Sequence, residues 1–184
     1  MLDFNPERRG PPPRDAATVV VVRDRGGLEV FCLRRHKNVP FLGGAMVFPG
    51  GKVEDRDRTL DRARTNGLHP RAAEFGSDAI ALAVAALRES LEEAALLPTL
   101  PPYEHETARQ WQRALGPTTA WDDVLPRTTV LDTASLVPLS RWVTPLAERR
   151  RFDARLFLTS VPTGQRGEHD GGEAIASAWL APAE

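Results

Sequence analysis

The chain has 184 residues, of which 41% are hydrophobic and 27% charged, a balance that allows a hydrophobic core and excludes wholesale disorder. The 24 basic and 25 acidic residues give a net charge of −1, so we expect no binding to nucleic acid through bulk charge. The single cysteine, Cys32, excludes an intramolecular disulfide and a zinc site built from several cysteines. The sequence has neither a run long enough to cross a membrane nor an apolar signal core near its start, so we expect a cytoplasmic protein without membrane attachment.

The first third of the chain predicts a strand-rich unit. Three consecutive prolines within residues 1–15 fit neither a helix nor a strand ladder, so we expect a flexible leader there and a single domain over residues 16–184. Three runs with strand-like composition follow, at residues 17–23, 28–34 and 45–48. A turn signal separates the first two runs, which predicts a β-hairpin.

The middle of the chain predicts an excursion followed by a long helix. Residues 55–77 are rich in Arg and Asp and show little periodicity, so we expect an insertion with a short helix rather than a second domain. Residues 78–97 predict the clearest helix, with Ser77 or Asp78 as its cap. Its apolar stripe, which should face the core, consists of Ile80, Val84, Leu87 and Leu91. Further helices at 104–115 and 120–125, and strands at 136–143, 155–161 and 173–180, indicate a layered α/β or α+β domain.

Three glutamates on the predicted helix indicate a chemical function. Glu89, Glu92 and Glu93 are related as i, i+3 and i+4, so their carboxylates converge on one patch of the helix. A divalent cation would relieve their mutual repulsion, and hard oxygen ligands favour Mg²⁺ or Mn²⁺ over zinc. A solvated acidic helix face is the alternative. The two glycines before the helix and Arg88 beside the first glutamate favour a metal site, because Arg88 can brace a ligand carboxylate.

This pattern resembles the signature of the Nudix hydrolases: a Gly, five residues, a Glu, seven residues and then R-E-U-x-E-E-x-G-U, where U is apolar. Residues 88–96 (RESLEEAAL) match the second half, and residues 48–57 (FPGGKVEDRD) resemble the first half. There are three departures. Asp57 stands in the place of the first signature Glu, Ala95 replaces the late Gly, and 30 residues instead of seven separate Asp57 from Arg88. The resemblance implies an α/β/α sandwich with a mixed central sheet, in which a strand, a loop and a helix carry the site.

The flanking segments resemble one branch of this family, the peroxisomal-type CoA diphosphatases, which have a comparable insertion inside the signature. The similar segments are residues 16–54, 141–145, 151–157, 169–173 and 179–180. CoA or an acyl-CoA is therefore the leading substrate that the resemblance implies. ADP-ribose or another nucleotide sugar comes second, and oxidised nucleoside triphosphates come third.

The resemblance also implies roles for single residues. Glu89, Glu92 and Glu93 would ligate Mg²⁺ or Mn²⁺ together with the carbonyl of Gly50, and Arg88 would orient a ligand. With these groups the protein would hydrolyse the diphosphate of a nucleoside diphosphate linked to another group X, and Glu92, Glu93 and Arg88 would be catalytic.

A further acid is expected outside the signature. Family members often supply one from a late loop, about six residues before a Trp. Glu173 lies six residues before Trp179, which makes it the candidate general base or auxiliary ligand. A surface carboxylate is the alternative.

The candidates for substrate binding are Arg34, Arg35, Arg141 and Arg151. The first two lie between the second strand and the glycine loop, where paired hydrogen bonds can hold phosphates, and a solvated strand end is the alternative. The other two flank or belong to a run of three arginines at 149–151, which can steer an anion or be ordinary surface charge. Trp142 and Phe157 can stack on adenine, although aromatic residues on strands are more often part of the core.

Two alternatives remain for function, and one expectation concerns assembly. The complete R-E-x-x-E-E argues against a non-catalytic Nudix-like nucleotide sensor, and a plain structural module is the other alternative. The sequence ends at Glu184, where the resembling branch begins another helical segment, so we expect exposed apolar surface and a homodimer. The C-terminus lacks a peroxisomal S-K-L address, which favours a cytoplasmic location.

Overall fold

The β-branched run near the start of the chain becomes the central strand of a mixed sheet. The computed structural model describes residues 10–39 and 42–182, so most of the predicted leader, residues 1–9, lies outside the described residues. The strands of this sheet are β1 (Arg14–Asp24), β2 (Leu28–Arg35), β3 (Met46–Val47), β4 (Gly50–Lys52), β7 (Val137–Val143), β8 (Phe152–Ser160) and β9 (Ala174–Leu180). The order is β3-β2-β1-β8-β7, with β4 also paired to β1 and β9 to β2. Only the pair of β1 and β8 is parallel within this sheet, so the predicted α+β class with a mixed sheet is confirmed.

Four helices and one small ribbon complete the described fold. They are α1 (Asp55–Arg58), α2 (Ala79–Ala94), α3 (His105–Ala114) and α4 (Trp121–Val124), with the antiparallel pair β5 (Thr99–Leu100) and β6 (Val130–Leu131). Short 3₁₀ helices cover Arg62–Arg64, Pro70–Phe75 and Thr133–Ser135. Among the described residues, none of the helices is both long and apolar enough to cross a bilayer.

Helix α2 is buried on nearly every side. It packs on β1 and β4 with one face and against α1 and α3 with others. The predicted apolar stripe is buried at Val84, Leu87 and Leu91, whereas Ile80 is only half-buried. The expectation of a single core-facing stripe was too narrow, because four small residues also let neighbouring elements approach closely: Ala81, Ala83, Ala85 and Ala86. The helix therefore carries its glutamates into a crowded environment.

The excursion over residues 55–77 begins with the predicted short helix and returns to the sheet. Arg58 of α1 donates to Asp15 Oδ2 of β1 at 2.9 Å and to Asp78 Oδ2 at the start of α2 at 2.6 Å. Near the other end, the ring of Phe75 packs edge-on against Phe157 with centroids 5.2 Å apart. The excursion thus shares the hydrophobic core beneath the sheet.

The edge strand β7 differs from the expectation for one aromatic residue. Phe157 is fully buried, but 69% of Trp142 is exposed, so Trp142 is not part of the core. The reason is its place on the edge strand, where Leu139 and Val143 are also about half exposed. The homodimer expected from the sequence stays a prediction.

Candidate active site

Arg88 joins the three parts of the chain that form the site. Its side chain is 1% exposed. Nε and one terminal nitrogen donate to the two oxygens of Asp57 on α1, at 2.9 and 3.1 Å, and the same terminal nitrogen donates to the Lys52 carbonyl of β4 at 2.8 Å. The other terminal nitrogen donates to Glu89 Oε1 at 2.9 Å and to Glu92 Oε2 at 2.8 Å. One guanidinium therefore fixes β4, α1 and two glutamates of α2.

The pKa of Arg88 reflects this surplus of negative partners. Burial alone would lower the pKa, but the hydrogen bonds that Arg88 donates to Asp57 and the negative charges of Glu89, Asp57 and Glu92 raise it above its ordinary value. The buried guanidinium is therefore charged, with carboxylates on two sides. Asp57, which stands in the place of the first signature Glu, lies 31 residues before Arg88 in the sequence and in direct contact with it in space.

The two glycines of β4 allow the helix to come close. The Gly50 N–H donates to Glu93 Oε2 at 3.0 Å. A Cβ added to Gly51 would lie 2.6 Å from Glu89 Cδ, far inside van der Waals contact. A side chain at Gly51 would displace this carboxylate, whereas a Cβ at Gly50 would lie 2.7 Å from the Ala17 carbonyl oxygen and 2.8 Å from Thr18 Cα, so the approach of β4 to the β1 backbone requires glycine at position 50.

Burial of the glutamates shifts their protonation. Burial raises the pKa of Glu89 to about 7, against the opposing charge of Arg88. Burial and the negative charge of Glu89 raise the pKa of Glu93 to about 8, although the Gly50 hydrogen bond opposes the shift. The pKa of Glu92 is also raised, chiefly by burial. The three glutamates outnumber the two arginines that donate to them, Arg88 and Arg56, so an additional cation would be stabilised there.

These shifts predict how stability depends on pH when metal ions are removed. Both folded-state pKa values exceed the unfolded ones, so the unfolded chain loses these protons first and the folded state becomes less favourable as the pH rises from about 4.5 to 8. We expect the free energy of unfolding in EDTA to fall by roughly 1 kcal/mol per pH unit for each such carboxyl. Urea denaturation from pH 5 to 8 measures this, and a flat or rising profile would contradict it. The hydrogen bond from Arg141 lowers the pKa of Asp153, so Asp153 makes the free energy of unfolding depend on pH only below about pH 4.

The donor set suits a hard divalent cation. All candidate ligands are oxygens, namely three carboxylates and a backbone carbonyl, and Mg²⁺ and Mn²⁺ prefer such ligands. Among the described residues, no three His, Cys, Asp or Glu side chains already converge on one metal position, because Glu89 and Glu92 face Arg88 and Glu93 faces the Gly50 amide. The site therefore fits a metal by its chemistry and charge. Ligation by Glu89, Glu92, Glu93 and Gly50 stays a prediction.

Arg35 and Glu173 lie on the side of the site that carries Glu93. A terminal nitrogen of Arg35 donates to Glu173 Oε2 at 3.0 Å, and the charges of both residues influence the pKa of Glu93. Asp170 fixes the backbone at Glu173, because its carboxylate accepts hydrogen bonds from the backbone N–H groups of Glu173 and Ala174 at 3.1 and 3.2 Å. The side chain of Glu173 is 62% exposed. The structure thus brings Glu173 to the site, whereas its role stays a prediction.

The other three arginines have different positions. Arg34 follows the alternation of β2 and is exposed. Arg141 on β7 donates twice to Asp153, at 2.8 and 2.7 Å. Arg151 donates to the carbonyls of Thr144, Pro145 and Pro11 at 3.1, 3.2 and 2.8 Å. Arg141 and Arg151 therefore have described partners away from the glutamates, and their part in substrate binding stays a prediction.

Sequence reasoning missed two residues that contact the site. Arg56 donates to Glu92 Oε1 at 2.7 Å, and Gln112 of α3 donates to the Glu92 carbonyl at 3.0 Å. No local signal distinguishes Arg56 from the other arginines of the excursion. Gln112 occupies a buried position in a polar helix, and a polar residue at a core-facing helical position is the signal that could have found it.

Solved structures resemble this fold, although no protein-family model matches the chain. The chain superposes on a NUDIX hydrolase from Alicyclobacillus acidocaldarius with a TM-score of 0.75 and 31% identity, covering 91% of this chain and 78% of that one. A MutT NUDIX hydrolase from Burkholderia pseudomallei gives 0.48 and 18%, covering 93% and 84%. The NUDIX domain of Shewanella oneidensis NrtR complexed with ADP ribose gives 0.49 and 15%, covering 98% and 80%. With 31% identity to the first protein over most of both chains, and with the glutamate helix facing the glycine strand, the chain belongs to the Nudix hydrolase family.

Proposed function

We propose that this protein hydrolyses the diphosphate bond of a nucleoside diphosphate linked to another group X, with Mg²⁺ or Mn²⁺ as cofactor. The observation that carries this proposal is the pair of partly buried glutamates, Glu89 and Glu93, against the glycines of β4. Burial is the main cause of their raised pKa values, so the site without a cation disfavours their charged forms, and a bound cation would stabilise those forms. A diphosphate brings further negative charge, so such a site can bind one only together with cations.

Each residue would have a separate task. Glu89, Glu92, Glu93 and the Gly50 carbonyl would hold the metal. The bound ion would neutralise the diphosphate and lower the pKa of a water molecule. Arg88 orients Glu89 and Glu92, since it donates to both at 2.9 and 2.8 Å. This division places the cation at the carboxylate patch and assigns Arg88 no direct contact with the substrate.

Glu173 and Arg35 would act on the reacting groups. Glu173 is largely exposed and lies close enough to influence Glu93, so it can take a proton from the attacking water. Arg35 lies beside Glu173, and its buried Nε is without a hydrogen-bond partner among the described residues. Because that nitrogen is enclosed, a substrate phosphate would bind the terminal nitrogens of Arg35, one of which donates to Glu173. The exposed Arg34 would contribute positive charge at the same strand end.

The leading substrate is CoA or an acyl-CoA, and sequence resemblance supports this choice. The flanking segments around β1, β2 and the glycine loop resemble the CoA-diphosphatase branch, and the excursion between Asp57 and Arg88 occupies the position of that branch's insertion. ADP-ribose or another nucleotide sugar is the runner-up within the same reaction class.

A hydrolysis screen with product masses tests both levels of this proposal. We expect divalent-cation-dependent cleavage of CoA or acyl-CoA to 3′,5′-ADP and the corresponding phosphopantetheine, with ADP-ribose and nucleotide sugars as weaker substrates. Activity confined to nucleotide sugars would overturn the CoA assignment and keep the diphosphatase. Absence of hydrolysis with tight nucleotide binding would favour the sensor instead.

A further inference from the structure

Arg56 makes four hydrogen bonds that connect the glutamate helix to a distant turn. Its side chain is 14% exposed. One terminal nitrogen donates to Glu92 Oε1 at 2.7 Å, and Nε donates to Glu54 Oε2 at 2.9 Å. The other terminal nitrogen donates to the Gly116 and Thr119 carbonyls at 2.7 and 3.0 Å. One rigid guanidinium fork thus holds a carboxylate of the site and the backbone of the connection between α3 and α4.

The turn that Arg56 holds has a defined shape of its own. The Thr119 N–H donates to the Gly116 carbonyl at 3.1 Å, and the Gly116 N–H donates to Thr119 Oγ1 at 2.9 Å. Residues 116–119 therefore form a compact closed turn, and the carbonyls of its first and last residues both accept hydrogen bonds from Arg56. The carboxylates of Glu54 and Glu92 on one side and the two turn carbonyls on the other therefore hold the guanidinium of Arg56 in one position.

Arg56 also distinguishes Glu92 from its neighbours. Glu92 Oε2 accepts a hydrogen bond from Arg88 and Glu92 Oε1 accepts one from Arg56, so both oxygens face a guanidinium. Glu93 receives the backbone N–H of Gly50 on one oxygen. Glu92 is thus the one of the three signature glutamates for which the described contacts show two arginine partners.

We propose that Arg56 is a positioning residue that fixes the carboxylate of Glu92 and couples it to the turn at residues 116–119. This inference rests on the proposed function, since Glu92 is a proposed metal ligand. The coupling follows from the shared guanidinium: a displacement of the turn moves the nitrogen that orients Glu92, and a change at Glu92 is transmitted to the turn. The excursion over residues 55–77 thereby supplies a working part of the site through its first helix.

The test compares Arg56→Gln and Arg56→Lys with the control Arg58→Gln. Arg58 lies on the same short helix and pairs with Asp15 and Asp78 instead of a signature glutamate. Three measurements are made: hydrogen exchange at the Gly116 and Thr119 amides, Mn²⁺ affinity by electron paramagnetic resonance without substrate, and kcat and KM at saturating metal. Thermal unfolding of each variant reports whether the fold is kept.

In Arg56→Gln we expect exchange in the turn to accelerate about tenfold, because two bonds from a charged donor are lost. Mn²⁺ should bind roughly threefold to tenfold more tightly, since a positive charge beside Glu92 is removed. At the same time kcat should fall about 10- to 100-fold with little change in KM, because Glu92 is no longer oriented. A residue that only maintains the fold would instead lower the unfolding temperature and accelerate hydrogen exchange across the domain, and not only in the turn.

Arg56→Lys separates charge from geometry. Lysine keeps the positive charge at Glu92, so Mn²⁺ affinity should return to near the wild-type value, but a single ammonium cannot also bind both carbonyls, so the turn should stay loosened. Full recovery of turn protection by lysine, or an effect of Arg58→Gln equal to that of Arg56→Gln, would overturn the coupling. If the wild-type protein hydrolyses no diphosphate, the proposed function fails, whereas exchange and Mn²⁺ affinity still decide the role of Arg56.

Discussion

Replacement of Glu93 by glutamine should lower kcat/KM by about 10³-fold, while the protein without metal becomes no less stable at pH 8. The loss of rate follows because a neutral amide cannot supply the anionic oxygen that a hard cation requires. Stability is retained because burial of the charged carboxylate is unfavourable, as its pKa of about 8 indicates, and glutamine removes that charge. The side-chain oxygen of glutamine can still accept from Gly50 N–H.

Steady-state kinetics and thermal unfolding in EDTA measure the two effects. Glu106→Gln is the matched control, because Glu106 lies on the exposed side of α3 and pairs only with Arg113 in its described ion pair. We expect the control to keep the wild-type rate. An unchanged rate in Glu93→Gln, with the fold intact, would remove Glu93 from the metal site and would weaken the proposed function.

The glutamate helix was predictable because its signals are local, whereas the two glycines, expected in a loop, form part of strand β4 through their pairing with β1. The apolar periodicity around Leu87 and the spacing of the three glutamates fix a helix and one acidic patch within a few turns. The pair Gly50-Gly51 predicts that other groups approach this backbone closely. In the structure, Gly50 lies against the backbone of β1 and Gly51 lies against Glu89. The hairpin of β1 and β2 also follows from a turn signal between two strand-like runs.

The remaining parts depend on contacts between residues distant in the sequence. The return of the excursion brings Asp57 into contact with Arg88, and no periodicity in residues 55–77 indicates it. The role of Arg56 depends on carbonyls 60 and 63 residues further along the chain. An aromatic residue on a strand, such as Trp142, is usually part of the core. Its exposure is set by the edge position of β7, which depends on the complete strand order.

Replacement of Asp57 by alanine should reduce the free energy of unfolding by about 3–5 kcal/mol, the range for breaking a buried ion pair. Neither partner can reach water, because the side chain of Asp57 is fully buried and that of Arg88 is 1% exposed. The carboxylate accepts both Arg88 bonds and the Glu54 N–H at 2.8 Å, so alanine leaves three donors unsatisfied. Urea denaturation at pH 7 measures the loss.

Two further variants make the result specific. Glu74→Ala breaks an exposed pair with Arg71 and should change stability by less than about 0.5 kcal/mol. Asp57→Glu restores the residue of the family signature and keeps the pairing with Arg88, but one added methylene in a closed space should cost about 1–3 kcal/mol. We therefore expect the free energy of unfolding to be lowest for Asp57→Ala, intermediate for Asp57→Glu and highest for the wild type. An Asp57→Ala protein as stable as the Glu74→Ala control would show that the excursion is held by its apolar contacts, such as Phe75 on Phe157, and not by the buried pair.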